Sequence, residues 1–526
     1  MWDNLFKPQT KPRFAWPEAL ALAAYCAILF WCIPHHASWF DEAETWLIAR
    51  SSTISDMLLH RLHYEGNPAI WYLLAWTEIR LHVSFLGMHL IAGAIAATGI
   101  YVWLRFNSLP RILSLLVPFS FFLLYQYAVV ARCYAFLPLL AFSLMILYRN
   151  RNSSPLLFAL LAGFMANCSG HMAAYAVGMV IWYGRDHWLS TQQNKAERRA
   201  LLAPALIFVV CLSLAAATAW PSPDGSFGSD KPSIELLRHV GHDRGQHAGS
   251  TSQSAATRPS EPPTIVKALV RLLTVLTVPI STVNLLTLLF FLLLGINLYW
   301  QKLWLSLLPS LMAAMLYEFL HGASHHTGIV WIGLLCCLWP LASEPPPEGG
   351  KQWLRPALYA VTGVVVVLQI GWSIHCIRND FDGAYSGYRA TADYLRQLPP
   401  GTRIAAFGMT TATVNAYFPH TPFYNTALDY SPLSKTTDPD LDFDQVIAER
   451  PAVVVAQEQD YISQIQNQWI TTKKGGLTAD DIALADRLIQ HGYHATHRFC
   501  GDHAFRDTTE FKDCAVIYEP NQSTQP

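Results

Sequence analysis

The 526-residue chain is 52% hydrophobic and 13% aromatic but only 14% charged, against roughly 25% charged for an ordinary soluble domain. That balance excludes a wholly soluble fold. A formal net charge of -1 excludes a nucleic-acid partner, because a phosphate-tracking surface needs clustered Lys and Arg.

Apolar runs of about 17 to 25 residues, the length that crosses a hydrocarbon core as a helix, recur from Trp16 to Trp372. In chain order the expected spans are Trp16 to Pro34, Ser84 to Leu104, Ile112 to Ala131, Tyr134 to Tyr148, Pro155 to Gly170, Met172 to Tyr183, Leu201 to Trp220, Thr282 to Trp300, Leu303 to Leu320, Thr327 to Ala342 and Pro356 to Ile374, eleven in all. No small-residue cleavage site follows the first, so it reads as a retained span and not a signal peptide. Lys7, Lys11 and Arg13, then Arg105 and Arg111, then Arg149 and Arg151, then Arg185, Lys195, Arg198 and Arg199 fill alternate loops. Lys302, Lys351 and Arg355 keep the same parity. The positive-inside rule therefore expects a multi-pass protein of the plasma (inner) membrane with a cytoplasmic N-terminus and an extracytoplasmic C-terminal region. Fusion of the two short spans around His171 would invert everything downstream.

Three stretches exceed connector length. The first outer loop, residues 35–83, patterns Ala43 to Leu62 as an amphipathic helix lying on the membrane. Its apolar stretch Pro68 to Arg80, about 13 residues, suits an interfacial or re-entrant helix better than a crossing. The second, residues 221–263, is rich in Pro, Ser, Gly and His and reads as a mobile outer loop; the spacing of its His239, His242 and His247 is too loose to favour zinc. Beyond Arg378, β-like runs at Arg403 to Phe407, Ala452 to Ala456 and Ala515 to Tyr518 stand among helical segments such as Ser386 to Leu398. The expected fold class is thus mainly α: a polytopic membrane helix bundle over residues 1–376, with a small α/β extracytoplasmic domain over 377–526. Eight of the ten cysteines lie in or beside apolar runs and read as packing residues. Cys500 and Cys514 lie in the polar tail, where pairing is open and fits an oxidising compartment.

Polar residues at the outer ends of the spans carry the chemistry. Asp41 and Glu42 directly follow the first span, and Glu65 precedes a Gly66-Asn67-Pro68 turn that returns an acid to the membrane surface. They read either as convergent catalytic acids or as a helix cap at Asp41 and a solvated Glu65. Arg132 either snorkels to the interface or grips a phosphate with its fork of donors; no other cation stands at that end of its span, which favours the second. His171 follows Ser169-Gly170, and a lone His there is more often structural. His321, His325 and His326 crowd one outer helix junction and suit a metal, an anionic head group or a proton carrier. On the expected topology all of these face one side, and acid, guanidinium and imidazoles are expected to meet in one extracytoplasmic hollow.

Asp41-Glu42-Ala43 after the first span, the Glu65-Gly66-Asn67-Pro68-Ala69 segment before an apolar Trp71-Tyr72 helix, and the Ala131-Arg132-Cys133-Tyr134 junction together resemble the glycosyltransferase C superfamily. The nearest likeness is to its bacterial branch related to protein O-mannosyltransferases and lipid A aminoarabinose transferases. The resemblance covers residues 16–375 and is strongest over 39–135; Asn67 and Ala69 stand where the family has His and a second Pro. It implies an inverting enzyme that moves a sugar from a polyprenyl-phosphate donor in the membrane lipid to a glycan, lipid or protein acceptor at the outer face. Asp41, Glu42 and Glu65 would then be catalytic, with Asp41 the general base, and Arg132, Tyr134, His171, His325 and His326 would surround the donor phosphate. A divalent metal is compatible with these residues and not required by them. The rival is a transporter or flippase of lipid-linked sugars, which would gather its ionisable groups near the midplane of broken helices. A non-catalytic scaffold for cell-envelope assembly would leave Asp41, Glu65 and Arg132 free to vary.

Overall fold

The computed structural model describes residues 14–150, 154–191, 199–222, 272–319, 324–344, 352–426, 443–461, 476–477 and 479–521. Nearly all of the expected mobile loop, with His239, His242 and His247, lies outside them, as do His321 and the cations Lys7, Lys11, Arg13, Arg151, Lys195, Arg198 and Lys351.

Helix α1 (Trp16–Cys32) opens with a proline in its first turn, and Glu18 accepts the Ala15 N–H at 3.1 Å. The Glu18 carboxylate also takes both arms of the Arg111 fork at 2.7 and 2.8 Å, a bidentate pair that ties α1 to a distant turn. The first outer loop contains α2 (Phe40–Ser51) and α3 (Ile70–Arg80). Then follow α4 (Phe85–Phe106), α5 (Phe136–Arg149), α6 (Pro155–Ala166), α7 (Gly170–Ser190), α8 (Leu202–Ala219), α9 (Asn284–Trp300), α10 (Leu308–Phe319), α11 (Thr327–Ser343) and α12 (Leu354–Asp382). Ten of the eleven expected spans thus hold a helix, and α6 and α7 are separate helices about the turn before His171. Among the described residues, α4, α8, α12 and the stretch Ser324–Ser343 are long and apolar enough to cross a membrane. From Thr327 to Ala342 every residue of α11 is buried, so it is the axis of the bundle. By contrast Leu202, Leu206 and Val209 of α8 and Leu285, Leu288 and Leu292 of α9 stay exposed, as a lipid-facing surface requires. A Cβ on Gly99 would lie 2.6 Å from the Leu139 nitrogen, and one on Gly178 would lie 2.6 Å from the Pro309 Cα. Close helix contact at these two crossings depends on glycine.

The third expected span is not a continuous helix. Helix runs only over Arg111–Leu116; Pro118 then interrupts the ladder, and a short turn at Val117–Phe119 leads to a wide π-type turn at Phe122–Gln126. Non-helical backbone at membrane depth survives only where protein satisfies it. Here the Tyr25 hydroxyl donates to the Leu123 carbonyl at 2.8 Å and Ser373 to that of Phe119 at 2.9 Å. The run is apolar because it lies inside the bundle, not because it faces lipid.

The C-terminal region is an α/β unit. Strands β1 (Ile404–Phe407), β2 (Val453–Tyr461), β3 (Gly476–Leu477), β4 (Tyr493–Phe505) and β5 (Thr508–Pro520) form one sheet in the order β1-β2-β5-β4, with β3 beside β2. Only β1 and β2 are parallel. Alternation along the strands splits the core. Ile404, Val453, Val455 and Ile517 face α13 (Tyr388–Leu395), while Ala405, Val454 and Val516 face α14 (Phe443–Ala448) and α15 (Ala479–Gln490). Cys500 and Cys514 are cross-strand partners on β4 and β5 and are joined by a disulfide.

This unit covers the first outer loop. The stretch Ala43 to Leu62 is not one helix floating on the membrane: α2 ends at Ser51, Ser52 is extended, and Thr53 caps the next short helix by accepting the Asp56 N–H. Residues 42–49 are all buried, because a 3-10 stretch at Met409–Tyr417 packs on the outward face of α2. Arg50 donates to the carbonyls of Phe418 at 2.5 Å and Asn415 at 3.2 Å, and Ser386 donates to that of Ser38 at 2.6 Å. The β4–β5 hairpin reaches deeper, laying Phe505 edge-on against Phe121 and His503 beside Trp39.

Candidate active site

Helix α2 starts where Trp39 leaves an extended linker, and Glu42, three residues on, folds back to accept the Trp39 N–H at 3.2 Å. This acidic first turn is favourable at a helix N-terminus. It also aims two neighbouring carboxylates in different directions, since successive residues point about 100° apart.

Asp41 points to the more open side. Its Oδ2 lies 2.5 Å from Arg132 Nη1, with the carboxylate side chain 30% exposed and the guanidinium 13%. Arg132 Nη1 is also 2.9 Å from His325 Nε2. A guanidinium only donates, so His325 Nε2 accepts and the ring is the neutral tautomer protonated on Nδ1. The Arg132 guanidinium lies 5.7 and 5.6 Å from the ring centres of Trp39 and Tyr134. Tyr127 donates to the His325 carbonyl at 2.6 Å, His326 packs 4.2 Å from the His325 ring, and His171 stacks on His326 at 3.9 Å. The His171 and His326 rings therefore buttress His325 from behind. Tyr134 lies 5.6 Å from His326 and accepts a hydrogen bond from Ser169 at 3.4 Å.

Glu65 ends its short helix just before Gly66, which adopts the left-handed conformation (φ 66°) that lets the chain turn into α3. Tyr72 on α3 donates to Glu65 Oε2 at 3.1 Å. Burial pushes the Glu65 carboxyl up to about 7; the Tyr72 hydroxyl and Arg132 oppose this and Asp41 adds to it. Glu44, one helical turn after Asp41, is buried, and among the described residues neither of its oxygens has a hydrogen-bond partner. Burial, then Glu65 and Asp41, hold its carboxyl well above the usual range. Sequence reading missed Glu44 and Tyr72; the i, i+3 relation of Asp41 to Glu44 was the available signal for the first.

Glu42 belongs to a different group. Fully buried, it accepts the Ala131 N–H at 2.7 Å on Oε1, with His89 Nε2 at 3.1 Å from that oxygen and His36 Nε2 at 3.1 Å from Oε2. His36 Nδ1 is in turn 3.1 Å from Asp380 Oδ2, which also accepts from the Tyr125 hydroxyl at 3.0 Å. Burial alone would lower the His36 pKa, but Asp380 and Glu42 outweigh it and raise it to about 10. Burial alone would raise that of Glu42, but His36 and His89 hold it well below the usual carboxylate range. The result is a carboxylate–imidazolium–carboxylate chain closed to solvent. No sequence signal joined His36, His89 and Asp380, which stand on three separate elements.

Among the described residues no three His, Cys, Asp or Glu side chains are arranged to hold a metal ion.

No family model matches the chain, and no curated protein matches it. Among solved structures the chain is similar to the crystal structure of ArnT from Cupriavidus metallidurans bound to undecaprenyl phosphate, with 10% identity and a TM-score of 0.49 over 97% of this chain and 99% of that one.

Proposed function

We propose that the chain is a membrane glycosyltransferase that moves a sugar from a polyprenyl-phosphate donor to a hydroxyl acceptor at the outer face of the membrane, with inversion. The observation that carries this reading is the partly open Asp41–Arg132 pair with His325 on the same guanidinium. A base, an anion-binding fork and a neutral imidazole within one small space are what displacement at an anomeric carbon needs. At rest Asp41 occupies the fork. The donor phosphodiester, whose two free oxygens match the guanidinium fork, exchanges with Asp41 there, so that substrate arrival both neutralises the phosphate and frees the base. Asp41 then takes the acceptor hydroxyl's proton as the acceptor oxygen bonds to the anomeric carbon. The bond from that carbon to the phosphate oxygen breaks, and its electron pair leaves with the polyprenyl phosphate, held by Arg132 and His325.

In this reading Glu65 and Glu44 lie beside the sugar, Tyr134, His171 and His326 shape the phosphate end, and Glu42 positions the site by holding Ala131 and Trp39. The Cys500–Cys514 disulfide supports an extracytoplasmic position for residues 377–526. Asp41→Asn tests the proposal: transfer from a purified polyprenyl-phosphate sugar is expected to fall by about 10²- to 10⁴-fold with polyprenyl-phosphate binding retained. Turnover at the wild-type rate would sink the base role. The broken, buried segment after Pro118 favours a second reading, translocation of a lipid-linked sugar. Under that reading Asp41→Asn changes flipping in sealed vesicles and no glycosylated product forms with either protein.

A further inference from the structure

A cavity of about 550 Å³ opens on the other side of α2 from Asp41. Its wall includes Trp46 and Arg50, five and nine residues after Asp41. At about 100° per residue they point about 140° and 180° away from it, so an occupant here does not meet the Asp41–Arg132 pair. The rim is Ile33 and Pro34 at the outer end of α1 and Ser84 to Leu86 at the outer start of α4. Leu86 is 42% exposed, and Phe30 and Trp31 one turn below Ile33 are exposed as well. The opening thus lies where two apolar helices end, at the depth of lipid head groups.

The charge is one-sided. Among the described residues, Arg389 and Arg396 line the cavity with one carboxylate, Asp393, which pairs with Arg396 at 2.5 Å. Arg389 donates to the Pro34 carbonyl at 2.6 Å and to that of His36, and no carboxylate lies against it among the described residues. Carbonyl acceptors orient a guanidinium without cancelling its charge, so an excess of positive charge faces a cavity otherwise walled by Trp46, Phe85 and Phe418.

We propose that this cavity binds the head group of an anionic membrane phospholipid, with the acyl chains running down the α1–α4 surface, as a site separate from the donor site and independent of the proposed transferase reaction. Apolar walls continuous with the bilayer and a cationic interior match an amphiphile of that charge. The test is native mass spectrometry of the full-length protein released from mixed phosphatidylglycerol and phosphatidylcholine bilayers. Retained phosphatidylglycerol is expected to fall about fivefold in Arg396→Gln and again in Leu86→Glu, with phosphatidylcholine unchanged and millimolar inorganic phosphate displacing nothing. Leu86→Glu breaks none of the bonds that dock the C-terminal region, so it serves if a guanidinium variant fails to fold. Unchanged phosphatidylglycerol retention in both variants, or displacement by inorganic phosphate, overturns the proposal. Polyprenyl-phosphate retention in the same spectra reports on the donor site alone, and only Arg132→Ala is expected to lower it.

Discussion

Asp41 and Glu42 are adjacent carboxylates in the first turn of one helix, yet they live in opposite surroundings. Asp41 is 30% exposed and meets a guanidinium that a ligand can reach, whereas Glu42 is sealed against two imidazoles and two backbone N–H groups. A partly open ion pair contributes less to stability than a sealed one, and its partner can be exchanged at smaller cost. A buried one contributes conformational definition, and removing one partner leaves an uncompensated charge. The acidic pair after the first span therefore splits into two devices back to back: the proposed base, and the anchor that fixes its helix and the Arg132 backbone relative to it.

The largest expected effect breaks that division directly. Glu42→Ala strands the His36 imidazolium and the Ala131 N–H, and is expected to destabilise the protein by about 3 to 5 kcal/mol, seen as a lower melting temperature in detergent. Glu42→Gln still accepts from Ala131 and loses less. Asp41→Asn is expected to move the melting temperature hardly at all, within about 1 kcal/mol. A stable, inactive Glu42→Ala beside an unstable Asp41→Asn would exchange the two assignments.

The same anchor predicts an alkaline limit. The folded-state pKa of His36 is raised to about 10 from an unfolded value of about 6.5. Its stabilisation is therefore complete below about 6.5 and is lost as pH rises through about 10. His36→Gln is expected to flatten the fall in melting temperature between pH 7 and 10. A wild-type and variant that decline in parallel would mean that His36 is neutral in the folded protein.

Arg132→Lys sharpens the other half of the comparison. Lysine keeps the charge but loses the planar fork that spans Asp41 and His325. Affinity for polyprenyl phosphate, measured by calorimetry, is expected to drop about tenfold; retention of full affinity would mean that charge alone holds the anion.

What the sequence made legible follows from the same contrast. Asp41, Glu65 and Arg132 stand out because each is polar at the end of an apolar run, and ten of the eleven expected spans hold helices, because apolar length is itself the signal. The third span misled because hydropathy reports burial and not conformation; Pro118 was the mark of a broken segment. The helix expected on the membrane surface misled because an amphipathic pattern does not say whether its polar face meets water or protein. A protein's own polar backbone, here the carbonyls of Asn415 and Phe418, looks the same to a sequence pattern. His36 and Asp380 were invisible for a different reason: their meeting is made only by the return of α12 to the end of α1.

The smallest expected effect tests the open side by stability rather than rate. The Glu65 carboxyl is raised to about 7, so between the unfolded value of about 4.3 and 7 the folded state binds the extra proton, and stability falls as pH rises across that window. Glu65→Gln removes the liability. It is expected to leave the melting temperature unchanged at pH 4 and to raise it slightly at pH 8, by an amount on the order of 1 kcal/mol after solvent screening. A gain at pH 4 as large as at pH 8 would trace the effect to packing around Tyr72. No gain at either pH would mean that Arg132 already holds Glu65 as a carboxylate, placing its negative charge beside Asp41 in the resting site.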